Sequence, residues 1–127
     1  MKIAIIGAGA AGIIAAITAK RVNKNVQIDL FDANKGIGKK ILASGNGRCN
    51  ISNSEVTPKN YLGENPDFTT YALKEFTFKD FEKFCKSIGL LLDIKETNKV
   101  YPLSNEAKSV TKLLELALDS LGVNIYL

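Results

Sequence analysis

The hydrophobic pattern at the amino terminus predicts a strand, a helix and a second strand. Residues 2–6 predict the first strand, because isoleucine occupies three of its five positions. Residues 10–22 predict a helix that is rich in Ala and Ile, and residues 26–31 predict the second strand. Elements in this order predict a βαβ unit with parallel strands and a right-handed crossover.

The periodicity fades between Ala33 and about Pro66, where Gly, Asn and Ser are frequent. Residues 39–43 predict a short helical turn inside this segment. Loops of this length are uncommon in compact domains unless they have a function, so we expect a binding role.

Two helical stretches, or one broken helix, are predicted next, over residues 67–76 and 78–88. Each carries an apolar stripe, and such a stripe usually packs against a core. The stripe of the first consists of Phe68, Tyr71, Ala72 and Phe76. The stripe of the second consists of Phe81, Phe84, Cys85 and Ile88. Gly89 predicts the end of the second stretch.

The last third of the chain predicts a hairpin, a helix and a strand. Residues 90–96 and 99–101 predict the hairpin, which turns at Thr97 and Asn98. Ser104 predicts the N-cap of a helix that runs to Leu121, and Gly122 predicts its end. Residues 123–127 predict a final strand, which is typical of an α/β sheet when it follows an amphipathic helix.

Length and composition predict a soluble globular protein with one core. The chain has 127 residues, of which 46% are hydrophobic and 24% are charged. The net charge of +4 comes from scattered Lys and Arg residues, so we expect no nucleic-acid partner. Residues 3–19 are uncharged but interrupted by three glycines. We therefore favour neither a signal peptide nor a membrane span, and we expect a cytoplasmic protein without a membrane partner.

The cysteine and histidine content limits the chemistry of the chain. Cys49 and Cys85 are far apart and form no CxxC pair, which argues against a zinc site or a disulfide framework and fits a reducing cytoplasm. The chain has no His, so it lacks the most frequent general base and metal ligand. We expect no metal site, identify no catalytic residue, and expect a bound cofactor to supply any chemistry.

The first predicted strand and helix are joined by the pattern GxGxxG, which consists of Gly7, Gly9 and Gly12 with Ala10 and Ala11 before the last glycine. The first glycine allows a tight turn, the second lets a pyrophosphate approach the backbone, and the third lets the helix pack against the strand. Unpaired N–H groups and the positive dipole end at the start of the helix favour phosphate binding.

Asp32 lies twenty residues after Gly12, at the end of the second predicted strand. An acidic side chain in this position accepts hydrogen bonds from ribose hydroxyls, and its charge disfavours a 2′-phosphate. Asp29 is the alternative acid, but it lies before the strand end and points to the opposite face. The turn and Asp32 together predict a dinucleotide site, and they do not distinguish FAD from NAD.

The loop after the second strand contains a segment, residues 36–53, that combines glycines with polar and basic residues. It follows the strand directly, so it lies at the same sheet edge as the glycine turn, where ligands bind in such folds. The residues that offer a charge, a polar group or exposed backbone to a ligand are Lys39, Lys40, Ser44, Asn46, Gly47 and Arg48.

The run GKKILASGNGRCNISN at residues 38–53 resembles the signature of the bacterial aminoacetone-oxidase-like (YhiN-like) flavoproteins, which are NAD(P)/FAD-dependent oxidoreductases. The segments GAGAAGIIAAI, YALKEFTFKDFEKFCKSIGL and ETNKVYPLSNEAKSV fit the same family, so the resemblance covers nearly the whole chain in order. One departure is Asn98-Lys99, where the family commonly has Gly-Arg.

This resemblance implies an α/β fold with a Rossmann-like parallel sheet of the glutathione-reductase FAD-binding type. It implies FAD as the cofactor, with the three glycines at the pyrophosphate, Asp32 at the adenosine ribose and the loop residues named above near the pyrophosphate and flavin. Family members are longer. We therefore expect residues 1–127 to be the N-terminal part of the FAD-binding domain, inactive alone, without the inserted domain and the returning C-terminal segment.

Three functions are compatible with these observations. The first is a flavin-dependent oxidoreductase that acts on a small-molecule substrate or electron acceptor, with NAD(P)H as a candidate electron donor. The second is an NAD-binding dehydrogenase domain that uses the same turn. The third is a nucleotide-binding module without catalytic activity.

Overall fold

Contacts between residues divide the chain into two units in the computed structural model, which describes residues 1–65 and 67–127. Unit 1 comprises Met1–Cys49 and Ser104–Leu127, and unit 2 comprises Asn50–Leu103. The strands and helices in chain order are β1 (Lys2–Ile6), α1 (Ala10–Val22), β2 (Gln27–Phe31), α2 (Lys39–Ala43), β3 (Ser52–Asn53), α3 (Phe68–Glu75), α4 (Phe78–Ser87), β4 (Leu92–Ile94), β5 (Lys99–Pro102), α5 (Ala107–Ser120) and β6 (Asn124–Tyr126).

Unit 1 is built on a parallel sheet with the strand order β1-β2-β6. In the central strand β2, Leu30 pairs with Ile5 on one side and with Ile125 on the other. Helix α1 contacts β1 and β2, and α5 contacts both α1 and α2. This arrangement confirms the predicted α/β fold with a parallel sheet, and it confirms the predicted βαβ unit to within one residue at each element boundary.

The core of unit 1 forms where the apolar face of α1 meets the sheet and α5. Its largest fully buried side chains are Ile13, Ile17, Ile28, Leu30, Val26, Val110 and Leu118. Burial of each such side chain stabilises the fold by about 1.5–3 kcal/mol. Val110, Leu114 and Leu118 are buried on α5 at intervals of four residues, which is the spacing of one face of a helix.

Unit 2 contains a small antiparallel sheet with the order β3-β5-β4. The predicted hairpin is confirmed as β4 and β5, and Asn98 in its turn adopts a left-handed φ of 60°. Thr77 and Asp80 form a capping box at the start of α4. Gly89, with φ of 78°, ends α4, as predicted. The predicted long loop contains β3 and a helical turn at Pro58–Asn60, and its predicted end, Pro66, lies outside the described residues.

Two predictions about the later helices are wrong. The stripe of α3 does not pack into a core, because Phe68 and Tyr71 are 82% and 74% exposed and Phe76 is 54% exposed. Ser104 is not the N-cap of α5, because Asn105 has a left-handed φ of 56° and the helix begins only at Ala107. The Ser104 hydroxyl instead accepts a hydrogen bond from the Glu106 N–H, at 3.3 Å.

The uncharged amino-terminal segment does not form one continuous helix. It is divided into β1, the glycine turn and α1. Among the residues that the structure describes, no helix is long and apolar enough to cross a membrane.

Candidate functional site

The glycine turn between β1 and α1 uses its three glycines for different geometric reasons. Gly7 has a φ of +102°, which disfavours any residue with a side chain. A Cβ atom on Gly12 would lie 1.9 Å from the carbonyl oxygen of Gly7, so a side chain at position 12 cannot be accommodated. A Cβ atom on Gly9 would meet no atom within 4 Å. The turn therefore needs Gly7 and Gly12 for its own fold, whereas Gly9 leaves open space.

The start of α1 presents backbone donors next to this open space. Gly9 is the N-cap and has no side chain to accept hydrogen bonds from the first turn. The first N–H groups of a helix have no partner within the helix, and they carry the positive end of its dipole. Ala10 and Ala11, both exposed, contribute such groups without a side chain that would block access. This end of α1 suits an anionic ligand.

Asp32 contacts the glycine turn directly. Its Oδ2 accepts a hydrogen bond from the Ala8 N–H at 2.7 Å, across 24 positions of sequence. Its Oδ1 accepts hydrogen bonds from the Asn34 N–H at 2.8 Å and from Asn34 Nδ2 at 2.7 Å. The Asn34 backbone, the Asn34 amide and the Ala8 backbone together lower the pKa of Asp32 below its ordinary value. Asp32 is therefore an ionised acceptor beside the turn at neutral pH.

The loop after β2 is held against the same turn. The Gly38 N–H donates to the Ala8 carbonyl at 2.8 Å, so both backbone groups of Ala8 are bonded to this loop or to Asp32. Gly38 has a φ of 68°, and a Cβ atom there would lie 2.8 Å from Thr111 Cγ2. Lys39 Nζ donates to Asn34 Oδ1 at 3.0 Å. The predicted placement of this loop at the edge of the glycine turn is therefore confirmed up to Lys39.

Asp29 has a different role from Asp32. It lies within β2, and its carboxylate accepts hydrogen bonds from Asn124 Nδ2 at 2.7 Å and from Gln27 Nε2 at 3.3 Å. The Asn124 bond is the main reason why the pKa of Asp29 is lowered. Asp29 therefore supports the pairing of β2 with β6, and Asp32 is the acid that contacts the turn.

The segment 44–49 folds largely through its own hydrogen bonds. Its backbone is left-handed at Gly45, Asn46, Gly47 and Cys49. The Cys49 N–H donates to the Ser44 carbonyl, and Arg48 Nε donates to the Gly45 carbonyl at 3.3 Å. The Ser44 hydroxyl donates to the Ile41 carbonyl at 2.7 Å. None of these bonds joins the segment to the glycine turn, and Lys40 is exposed.

The two cysteines are free and buried. Burial raises the pKa of the Cys49 thiol, and it raises the pKa of the Cys85 thiol to about 12. A thiol in this state is protonated at neutral pH and is a poor nucleophile. The burial of both side chains indicates that they have a packing role.

Sequence reasoning missed Ala8, Asn34 and Thr111. A signal for Asn34 was present in the run Asp32-Ala33-Asn34, because an Asp side chain often accepts a hydrogen bond from the backbone two residues later. Ala8 and Thr111 gave no such signal, because their roles depend on contacts with residues far away in the sequence.

A family model described as HI0933-like protein Rossmann domain matches residues 1–127. The chain is 42% identical over 98% of its length to the 3-dehydro-bile acid delta(4,6)-reductase of Clostridium scindens. It is 39% identical over 97% of its length to the ribosomal RNA dihydrouridine synthase of Haemophilus influenzae, and 37% identical over 87% to that of Escherichia coli. The chain spans 30% of the length of the first two relatives and 27% of the third.

These relatives correct one prediction. We expected no nucleic-acid partner because the sequence has no basic run, and this is wrong, because two relatives that match most of the chain are ribosomal RNA dihydrouridine synthases. A basic run is not needed for such a partner, since residues that are separated in the sequence can lie close together in the fold. Unit 1 holds ten Lys and Arg residues against five Asp and Glu residues, a net charge of +5, whereas unit 2 holds seven against eight.

The match covers the parallel sheet, the glycine turn and the loop that contacts it. It agrees with the Rossmann-like architecture that the sequence predicts and the structure shows. The chain belongs to the HI0933-like protein Rossmann domain family.

Proposed function

We propose that this chain is the N-terminal, FAD-binding part of a flavin-dependent oxidoreductase, and that its glycine turn holds the ADP half of FAD. The observation that carries the proposal is the pair of hydrogen bonds on Ala8. They bring an ionised acceptor, Asp32, to the same turn that exposes the N-terminus of α1. An acceptor for ribose hydroxyls and donors for phosphate oxygens are thus available at neighbouring positions.

The residues present fit the ADP group. The open space at Gly9 leaves room for a pyrophosphate, and the N–H groups at Gly9, Ala10, Ala11 and Gly12 lie at the positive end of α1. Gly7 forms the turn that places them. Asp32 accepts hydrogen bonds from the ribose hydroxyls and excludes a phosphate on the 2′ position by repulsion.

We also propose that residues of the following loop bind the pyrophosphate and flavin. Lys39 is joined to the Asp32 cluster through Asn34, so its charge is beside the turn. The assignment of the remaining residues rests on the loop's position after β2 and on its resemblance to a flavoprotein signature; they are Lys40, Ser44, Asn46, Gly47 and Arg48.

We further propose that the whole protein reduces a carbon–carbon double bond that is activated by a neighbouring carbonyl. The reductase relative is named for double bonds next to a 3-oxo group, and the synthase relatives are named for the reduced form of uridine. FAD, when bound, supplies two-electron hydride chemistry of this kind. An NAD(P)H donor, a cytoplasmic location and the aminoacetone-oxidase-like relationship stay predictions.

Flavin binding to the purified chain tests the proposal. FAD is titrated into the wild-type chain and two variants, Gly9→Ala and Gly36→Ala, and binding is followed by flavin fluorescence and calorimetry. Neither new Cβ atom meets a protein atom within 4 Å, so both variants should fold. The Gly9→Ala variant should bind FAD at least about tenfold more weakly, because its methyl group occupies the space for the pyrophosphate, which corresponds to about 1.4 kcal/mol. Gly36→Ala should bind as the wild type does.

A parallel titration with NADH separates the alternatives. Tight NADH binding without a response to FAD would favour an NAD-binding dehydrogenase domain. Binding of either nucleotide by a full-length protein that transfers no electrons to any acceptor would favour a module without catalytic activity. Equal FAD binding by the wild type and Gly9→Ala would contradict the proposed position of the pyrophosphate.

A further inference from the structure

Asn34 forms the centre of a hydrogen-bonded chain that ends at the glycine turn. Lys39 Nζ donates to Asn34 Oδ1 at 3.0 Å, and Asn34 Nδ2 donates to Asp32 Oδ1 at 2.7 Å. Asp32 Oδ2 then accepts from the Ala8 N–H at 2.7 Å. Four groups from the β2 end, the following loop and the turn are thereby connected, and Asp32 accepts from both sides: from Lys39 through Asn34, and from the Ala8 N–H of the turn.

The chemistry of the two charged ends determines the orientation of the Asn34 amide. The Lys39 ammonium group only donates hydrogen bonds, and the Asp32 carboxylate only accepts them. The Asn34 oxygen therefore faces Lys39, and the amide nitrogen faces Asp32. A rotation of the amide by 180° would place donor against donor and acceptor against acceptor, so this orientation is strongly preferred.

The same bonds determine the orientation of the Asp32 carboxylate. Oδ1 is held by two donors of Asn34, and Oδ2 is held by Ala8. An ionised carboxylate has about four acceptor positions, and these three donors leave room for a hydroxyl group of a ligand. Hydrogen bonds from N–H groups on both oxygens restrict rotation of the side chain before a ligand arrives, which lowers the entropy cost of binding.

We propose that Asn34 is a positioning residue for the nucleotide ribose, because it holds the Asp32 carboxylate in the orientation that accepts a ribose hydroxyl. This inference rests on the proposed binding of FAD. Lys39 acts through Asn34 in this arrangement, since its ammonium group keeps the amide nitrogen directed at Asp32.

Two substitutions separate the parts of this chain. Asn34→Ala removes the donor to Asp32 and the acceptor for Lys39, and leaves the Asn34 backbone bond in place. Asn34→Asp keeps the shape and the acceptor for Lys39 but removes the donor and adds a like charge beside Asp32. The matched control is Asn124→Ala. It removes a hydrogen bond of the same length, 2.7 Å, which the side-chain amide of Asn124 donates to Asp29 in the same unit.

The experiment has two measurements on the 127-residue chain. Carboxyl carbon NMR titration without nucleotide follows Asp32 and Asp29, and calorimetry with FAD and with ADP follows binding. In both Asn34 variants the pKa of Asp32 should rise towards its ordinary value, with the larger rise in Asn34→Asp. Both should bind FAD and ADP about fivefold to tenfold more weakly, the effect of losing one oriented hydrogen bond. Asn124→Ala should shift only Asp29 and bind normally.

The outcomes distinguish this inference from the function on which it rests. If both Asn34 variants bind FAD and ADP as tightly as the wild type does, the inference is overturned, and the proposed binding of FAD is unaffected. Weakened binding in Asn34→Ala with normal binding in Asn34→Asp would also overturn it, because Lys39 rather than the donor to Asp32 would then matter. Absence of FAD and ADP binding by the wild type would contradict the proposed function itself, and with it the ribose role of Asn34.

Discussion

Unit 1 and unit 2 differ sharply in how much apolar surface they bury. Among the described residues, fourteen of the seventeen buried hydrophobic side chains lie in unit 1, whereas Cys85, Leu90 and Val100, together with the buried ring of Pro102, lie in unit 2. Unit 2 exposes more aromatic surface, with Phe68, Tyr71 and Phe76 each more than half exposed. Aromatic side chains of unit 2 also line an open cavity of about 470 Å³; they are Tyr61, Phe76, Phe78 and Phe81.

The architecture of each unit explains this difference. The parallel sheet of unit 1 has a central strand, β2, whose buried residues are covered by α1, and α5 packs against that helix. Unit 2 has strands of two to four residues and a helix, α3, without a buried residue. Small sheets with little covered surface have low independent stability. The candidate nucleotide site therefore lies on the unit that buries more apolar surface.

The largest effect is expected for a side chain at Gly12. The Gly12→Val variant should destabilise unit 1 by more than about 4 kcal/mol, since even the Cβ atom would lie 1.9 Å from the Gly7 carbonyl oxygen. Urea denaturation measures the effect, with Gly9→Ala as the control that keeps its stability. A Gly12→Val variant as stable as the control would show that the turn can move, and that unit 1 is not rigid at the site.

A core truncation in each unit should sharpen the comparison. Leu118→Ala in unit 1 should lower the free energy of unfolding by about 3 kcal/mol, because a fully buried side chain leaves a cavity. Val100→Ala in unit 2 removes a smaller buried side chain and should cost about 1–2 kcal/mol. Amide exchange measured by NMR should show that unit 2 exchanges faster in both variants. Equal protection of the two units would remove the distinction between them.

The pH dependence should reveal an electrostatic contribution in each unit. Asp32 in unit 1 and Asp80 in unit 2 both have a pKa below the ordinary value of 3.8. For Asp80 the Thr77 side chain and backbone are the main causes. A group with a lowered pKa stabilises the fold above that ordinary value, and this stability is lost as the pH falls through the lowered pKa.

The variants Asp32→Asn and Asp80→Asn should therefore be less stable than the wild type at neutral pH. Their difference from the wild type should shrink below pH 3.8, where the unfolded aspartate is already protonated. Denaturation curves at neutral pH and below pH 3.8 provide the measurement. Asp119→Asn, on the exposed end of α5, serves as control. A difference that grows in acid would contradict the sign of this prediction.

The smallest effect concerns thiol labelling. Both cysteines are buried and protonated, so a thiol reagent reacts only after local opening. Local opening of unit 2, which buries fewer side chains, should need less free energy than opening of unit 1. Each cysteine is labelled in a variant that lacks the other. Cys85 in the Cys49→Ala variant should react several-fold faster than Cys49 in the Cys85→Ala variant. The two unfolded variants should react at the same rate. Faster labelling of Cys49 would reverse the order of local stability proposed for the units.

The elements of the amino-terminal half could be predicted closely because their signals are local. The bounds of β1 and α1 follow from apolar spacing and from the glycines between them, and α2 follows from the short run after Gly38. Asn98 and Gly89 were also identified, since a left-handed backbone favours these residue types wherever the chain folds. Ser104 shows the limit of such rules, because Asn105 turns the chain before the helix begins.

Sequence by itself determined that a glycine turn, a helix start and an acid at a strand end occur in the order of a dinucleotide site. The reason is that backbone conformation and amphipathic period are encoded within a few neighbouring residues. This local information also determined the α/β class, because strands and helices alternate in the part of the chain that contains the glycine turn.

Only the tertiary structure decided which of these groups meet. Asp32 contacts Ala8 across 24 residues, and Asn34 and Lys39 join the cluster through side chains whose partners no spacing rule specifies. The exposure of Phe68 likewise could not be predicted from the sequence. An apolar stripe has the same sequence pattern whether or not another surface packs against the helix. Contacts between distant residues are set by packing of whole elements, so this part of the site became visible only in the folded chain.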